Sequence, residues 1–156
     1  PGTVFLCGYH PEGALSAGQA RKLGFDGPLF GADGIDNEDY IRLGGKATEN
    51  TYCTVPFLAA SAGPAGQEFA AKFTAAYGRD VDWMSANAYD CLGILADVIT
   101  KTGPDRKKIR DGLAAMNSES SGYNGITGLT YFDEKGNCAK PAFVKMVKGG
   151  KFVAAE

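Results

Sequence analysis

Thr3-Val4-Phe5-Leu6-Cys7-Gly8-Tyr9-His10-Pro11-Glu12 is the stretch that decides the fold class. Its first five residues are an apolar run rich in β-formers. Such a run fits a strand buried on both faces, as in a parallel sheet. After Gly8 and Tyr9, Pro11 opens a helix with Glu12 beside it. Proline's missing N–H is no loss in a first turn, and an acid complements the positive end of the helix. The helix is expected to run to about Leu23, with Gly24 as its C′ residue. Its inward face is small at Ala14, Ala17 and Gly18.

The same order recurs downstream. Leu29-Phe30 is a short strand, followed by the loop Gly31-Ala32-Asp33-Gly34. A second helix starts near Asp36-Asn37, with Glu38 and Asp39 in its first turn, and stops at Gly44-Gly45. Thr51 to Val55 is a third strand, stopped by Pro56. This βαβαβ order with short connections predicts an α/β fold with a parallel, doubly wound sheet. The middle of the chain is expected to be helical. Phe69, Phe73 and Tyr77 share one face. Ser85 is expected to cap a long helix whose stripe is Tyr89, Leu92, Leu95, Ala96 and Ile99. Asp105 opens another, with Ile109, Leu113 and Met116 inward. Ile126 to Phe132 and Ala142 to Val147 are expected strands, joined by a hairpin turn through Asp133 to Asn137. Lys148-Gly149-Gly150-Lys151 is a second tight turn. The chain opens directly on a strand that needs neighbours on both sides, which suggests a fragment or a chain requiring a partner.

Composition narrows the function. The 156 residues carry 16 Lys+Arg against 18 Asp+Glu, so there is no basic surplus for nucleic acid. No apolar run approaches the ~18 residues of a membrane helix, and no signal peptide is visible. The single histidine, His10, excludes two-His and three-His metal sites. Cys7, Cys53, Cys91 and Cys138 are spaced by 46, 38 and 47 residues, with no C-x-x-C. Cys7, Cys53 and Cys91 read as buried apolar thiols, although a Cys7–Cys53 disulfide between neighbouring strands is possible. Ser61, within Ala59-Ala60-Ser61-Ala62-Gly63, has no histidine after it to complete a hydrolase triad. No P-loop or dinucleotide fingerprint follows a strand. Asp33, Asp36, Glu38 and Asp39 lack EF-hand spacing, and helix-start acids explain three of the four. What survives is geometric. Tyr9 and Asp33 lie just past the C-terminal ends of the first two strands, where open parallel sheets bind ligands. On spacing alone, Asp33 as an Asx-turn former and Tyr9 as a rim aromatic is a slightly better reading than a binding site.

An ordered set of segments carries a resemblance. It comprises Gly8-Tyr9-His10-Pro11-Glu12-Gly13, Gln19-Ala20-Arg21-Lys22-Leu23-Gly24, Phe30-Gly31-Ala32-Asp33-Gly34-Ile35-Asp36-Asn37 and Ala88-Tyr89-Asp90. Gly125-Ile126-Thr127-Gly128, Phe132-Asp133-Glu134-Lys135-Gly136 and a Lys-Gly-Gly-Lys-Phe ending follow. Together they resemble the leucine/isoleucine/valine-binding protein family, the type I periplasmic binding proteins of branched-chain amino-acid ABC transporters. The resemblance is collinear over essentially the whole chain and covers only the C-terminal part of the family protein.

It implies the type I periplasmic-binding-protein fold, two α/β lobes with a ligand in the cleft between them. Residues 1–50 would belong to the second lobe, 51–57 to a hinge crossing, 58–120 to first-lobe helices and 121–156 to return strands. It implies an extracytoplasmic solute-binding protein of an uptake system, periplasmic or extracellular and membrane-associated. The partners would be an amino acid, a transporter permease and the N-terminal half of the same protein. Neither enzymatic activity nor a cofactor or metal is implied. Tyr9 would contact the ligand, and Asp33 would pair with its ammonium group. Asp33 is one methylene shorter than the glutamate usual there, which alters reach. Trp83 or Met84 would touch the ligand side chain, although Trp83 reads equally as a packing residue before a helix cap. The family grips the ligand carboxylate with first-lobe groups that this chain lacks. A ligand-sensing regulatory or receptor domain of the same fold is the alternative, and an α/β enzyme ranks third.

Overall fold

The computed structural model describes residues 1–138 and 140–155. In chain order the elements begin with β1 (Val4–Leu6), α1 (His10–Lys22), β2 (Leu29–Gly31), α2 (Glu38–Gly44) and β3 (Thr51–Val55). They continue with α3 (Pro64–Tyr77), α4 (Trp83–Thr102), α5 (Arg106–Ala114), β4 (Tyr123–Gly125), β5 (Gly128–Thr130), β6 (Phe143–Lys148) and β7 (Lys151–Ala154). Two compact units divide the chain. One holds Pro1–Pro56 with Ala142–Glu156, and the other holds Phe57–Pro141.

The first unit is a five-stranded sheet in the order β1-β2-β3-β6-β7. β1, β2 and β3 run parallel, as the βαβαβ pattern predicts. β6 pairs antiparallel with β3, and β7 with β6. The Lys148–Lys151 turn is as expected: Gly149 and Gly150 have φ of +62° and +73°, the left-handed pair that a two-residue hairpin favours. The Glu49 carboxylate accepts both their N–H groups, at 3.0 and 2.6 Å.

α1 carries Pro11 in its first turn and ends at Leu23-Gly24, with Gly24 at φ +83°. Gly13, Ala14 and Ala17 are buried, so small residues let α1 approach closely. A side chain at Gly13 would meet Ile35 at 3.0 Å and Tyr40 at 3.3 Å. Asn37 caps α2 by accepting the Asp39 N–H at 2.8 Å. The Tyr40 hydroxyl lies 3.0 Å from that of Thr51 in the interior, and burial pushes the Tyr40 phenol above its ordinary range.

β1 departs from expectation. It is an edge strand here, and Phe5 is 61% exposed. Cys7 is exposed too, and no disulfide forms among the four cysteines. β2 separates β1 from β3. Two strand spacings amount to roughly 9.5 Å, beyond the ~7 Å that a disulfide spans.

The second unit has a core of Ile94, Val98 and Met116, packed by Ile109, Leu113, Tyr123 and Phe132. The inward face expected for α5 is therefore observed. The stripe expected for α4 is not: Tyr89, Leu92, Leu95 and Ile99 are exposed, and Ala86, Asp90, Ile94 and Val98 are buried. α4 is apolar on two sides, so periodicity alone could not choose between them. Its cap also differs from expectation. Asp82 is the N-cap and accepts the Ser85 N–H at 2.7 Å. The expected face of α3 is present, with Phe69 and Phe73 rings 6.0 Å apart and Phe73 and Tyr77 rings 4.7 Å apart.

Ile126 to Phe132 is not one strand. β4 and β5 form a hairpin with Ile126-Thr127 at its tip. The buried Asp90 carboxylate causes this. It accepts the N–H groups of Ile126 and Thr127, each at 2.9 Å, and the Thr127 hydroxyl. A Cβ at Gly125 would overlap that carboxyl, so the hairpin needs glycine there. The Asp133–Asn137 turn exists, with Phe132 bridged to Cys138. It does not pair β5 with β6, because β6 joins the sheet of the first unit.

Candidate functional site

In the first unit two strand-end loops meet. Gly8-Tyr9 follows β1, and Ala32-Asp33-Gly34 follows β2. A Cβ at Gly34 would lie 2.6 Å from the Gly8 carbonyl oxygen and 3.3 Å from Cδ1 of Tyr9. Glycine therefore lets the two loops touch. Tyr9 is the N-cap residue of α1, and its side chain makes no cap hydrogen bond. Tyr9 is 71% exposed. Asp33 is half-buried and opens a short 3-10 turn, Asp33–Ile35. Tyr9 and Asp33 are thus neighbours at the C-terminal end of the parallel strands, where α/β sheets place ligands.

The turn below Asp33 is anchored. Ile35 is wholly buried, and a Cβ at Gly31 would run into it. Asp36 is 4% exposed. The Lys145 ammonium donates to its Oδ1 at 2.6 Å and sits 5.1 Å above the Phe152 ring. Lys145 pairs in register with Cys53. Burial pushes the Cys53 thiol up to about 12; Asp36 and Asp33 add to the rise and Lys145 opposes it. Sequence reading did not find the Asp36–Lys145 pair. The residues are 109 positions apart, and no local signal links a strand lysine to a helix-start acid.

Trp83 and Met84 lie in the second unit, in the first turn of α4. Trp83 is half-buried and Met84 is 46% exposed. Their turn is fixed by Asp82, which also takes the Arg79 guanidinium at 3.1 Å. Burial opposes ionisation of Asp82. The Ser85 hydrogen bonds and Arg79 outweigh it, and hold the carboxyl below its ordinary range. Among the described residues, no three His, Cys, Asp or Glu side chains gather as a metal site, and no helix is long and apolar enough to cross a membrane. Such a site can hold a small ligand beside an aromatic ring and a carboxylate.

A family model described as periplasmic binding protein matches residues 1–151. The chain is 30% identical over 135 residues to the leucine-, isoleucine-, valine-, threonine- and alanine-binding protein of Pseudomonas aeruginosa, covering 86% of this chain and 35% of that protein. It is 27% identical over 154 residues to the Leu/Ile/Val-binding protein BraC3 of Rhizobium johnstonii, covering 98% of this chain and 41% of that protein. Among solved structures, the leucine-binding protein LivK of Thermotoga maritima superposes with a TM-score of 0.91 at 32% identity, over all of this chain and 44% of that one. LivJ of Streptococcus pneumoniae, solved with isoleucine, gives 0.88 at 27% identity, over 99% of this chain and 44% of that one. The chain thus spans less than half the length of these relatives.

Proposed function

This chain belongs to the periplasmic binding protein family, in its type I leucine/isoleucine/valine-binding branch, and on that premise we propose that it is the C-terminal portion of an amino-acid-binding protein serving an ABC uptake system. The protein acts outside the cytoplasm, in the periplasm or as an extracellular membrane-associated protein, and delivers its ligand to a permease. The ligand sits between two lobes. Residues 1–50 form part of the second lobe, 51–57 a hinge crossing, 58–120 first-lobe helices and 121–156 the return strands. The chemistry is binding, with no bond made or broken.

The observation that carries this reading is the contact of the Gly8-Tyr9 loop with the Asp33-Gly34 loop at the strand ends. An ammonium group beside Asp33 gains a charge-assisted hydrogen bond, stronger where lobe closure excludes water. Tyr9 contacts the ligand, and Trp83 or Met84 touches the ligand side chain. The ligand carboxylate is held by the N-terminal half. The relatives named for leucine, isoleucine and valine support a branched-chain ligand.

The open face of the sheet supports a missing half. Phe5, Phe30, Tyr52, Met146 and Val153 stand in one row across five strands. Phe5, Phe30 and Val153 are 61%, 38% and 37% exposed. Parallel sheets are ordinarily covered on both faces, so this row calls for further helices.

The test is calorimetry of the whole protein with L-leucine. Asp33→Ala is expected to weaken binding by roughly tenfold to hundredfold, the worth of one charged hydrogen bond. Unchanged affinity would remove Asp33 from the ammonium role. No binding of leucine or any other amino acid by the unmodified protein would end the reading itself.

A further inference from the structure

Asp33 shares its turn with a second, buried acid. The turn is closed by the Ile35 N–H donating to the Ala32 carbonyl at 3.3 Å and the Asp36 N–H donating to the Asp33 carbonyl at 3.0 Å. The backbone of Asp33 is therefore bonded to the residue that Lys145 grips. Ile35 anchors the turn in the interior, and the Asp36–Lys145 ion pair fixes it at 2.6 Å. Lys145 is itself held in place. Its strand β6 is paired on both sides, opposite Cys53 and opposite Ala154, and its ammonium stacks over Phe152.

Charge points the same way. Asp33, Asp36 and Lys145 all act on the Cys53 thiol, so the two acids and the ammonium share one neighbourhood. Two carboxylates three residues apart repel, and a cation beside the deeper one offsets that repulsion. Removing the ammonium takes that offset away from a buried carboxylate and weakens the hold on the turn.

We propose that Lys145, through its ion pair with Asp36, is a positioning residue for the Asp33 carboxylate. The pair sets the height and direction from which Asp33 meets a ligand ammonium. This rests on the reading of Asp33 given above. The pair ties the ligand loop to β6, so ligand preference depends on a residue far along the chain that touches no ligand.

The experiment compares L-leucine with 4-methylpentanoate, which has the same carbon skeleton and carboxylate without the ammonium. Affinities are measured by calorimetry on the whole protein, unmodified and as the double variant Asp36→Asn with Lys145→Met. The double variant leaves no unpaired buried charge, so it avoids the folding failure expected of Lys145→Met alone. Leucine affinity is expected to fall on the order of tenfold in the double variant, the scale of a small misplacement of a binding group, with 4-methylpentanoate unchanged. An equal loss for both ligands, or the same preference as in the unmodified protein, would overturn the proposal. Should the unmodified protein show no preference for leucine, the ammonium reading of Asp33 fails, and amide exchange alone decides the positioning role. Faster exchange at Ile35 and Asp36 in the variant, with Cys53 unchanged, supports it; unchanged protection at both overturns it.

Discussion

The two faces of the five-stranded sheet are built from equally apolar residues and end in opposite environments. On the face that α1 and α2 cover, Leu29 is 0% exposed and Cys53 and Val55 are each 1% exposed. On the other face, Phe30 and Tyr52 stack with ring centroids 5.3 Å apart, yet Phe30 is 38% exposed and its neighbour Phe5 61%. Strand chemistry is the same on both faces, so what differs is the supply of helices. Each βαβ crossover in this chain places its helix over one face, because the crossovers share one hand. An apolar strand therefore states that both its faces are to be buried, and leaves open which segment does it.

The comparison can be broken by substitution. Leu29→Ala on the covered face is expected to destabilise this chain by about 3 kcal/mol through cavity formation, read from urea unfolding. A loss of under about 1 kcal/mol would mean that the covered face is not a packed core. Next comes pH. The Cys53 thiol rises from its ordinary 9.0 to about 12 in the folded state. The unfolded chain thus releases this proton first, and stability present below about pH 9 declines as pH rises toward 12. Tyr40 shifts in the same direction by burial and adds to the decline. Cys53→Ala is expected to flatten part of it, and denaturation midpoints from pH 8 to 11 would show this. A smaller effect belongs to the open face. Phe30→Ala is expected to cost this chain about 1 kcal/mol, mainly lost stacking on Tyr52. The same substitution in the whole protein is expected to cost more, because burial there would be complete. Equal losses in both would mean that nothing covers this face. Smallest is Phe5→Ser, within about 0.5 kcal/mol in this chain and accompanied by higher solubility as the exposed strand edge becomes polar.

The legibility of the chain follows the same division. β3 (Thr51–Val55), stopped by Pro56, is plain from local signals. So are the stops of α1 at Gly24 and of α2 at Gly44-Gly45, because a left-handed glycine acts locally. Tyr9 and Asp33 were legible as strand-end residues because the parallel order fixes which end is which. The α4 stripe at Tyr89, Leu92, Leu95 and Ile99 is not the buried one, since that helix is apolar on two sides and this chain packs only one. Ile126 to Phe132 reads as one strand, whereas the hairpin runs from Tyr123 to Thr130, because its turn is made by Asp90, 36 residues before Ile126.

The sequence by itself determined the α/β class, the parallel β1–β3 core and the placement of Tyr9 and Asp33 at its C-terminal end. These depend on periodicity, glycine, proline and capping, all of which act within a few residues. Only the tertiary structure decided that β6 and β7 extend the sheet antiparallel. The same holds for the touch of Gly34 on Gly8 and for the Asp36–Lys145 pair at the Asp33–Ile35 turn. Those outcomes come from close packing and from the need of a buried charge for a partner, and such partners are found in space, not along the chain.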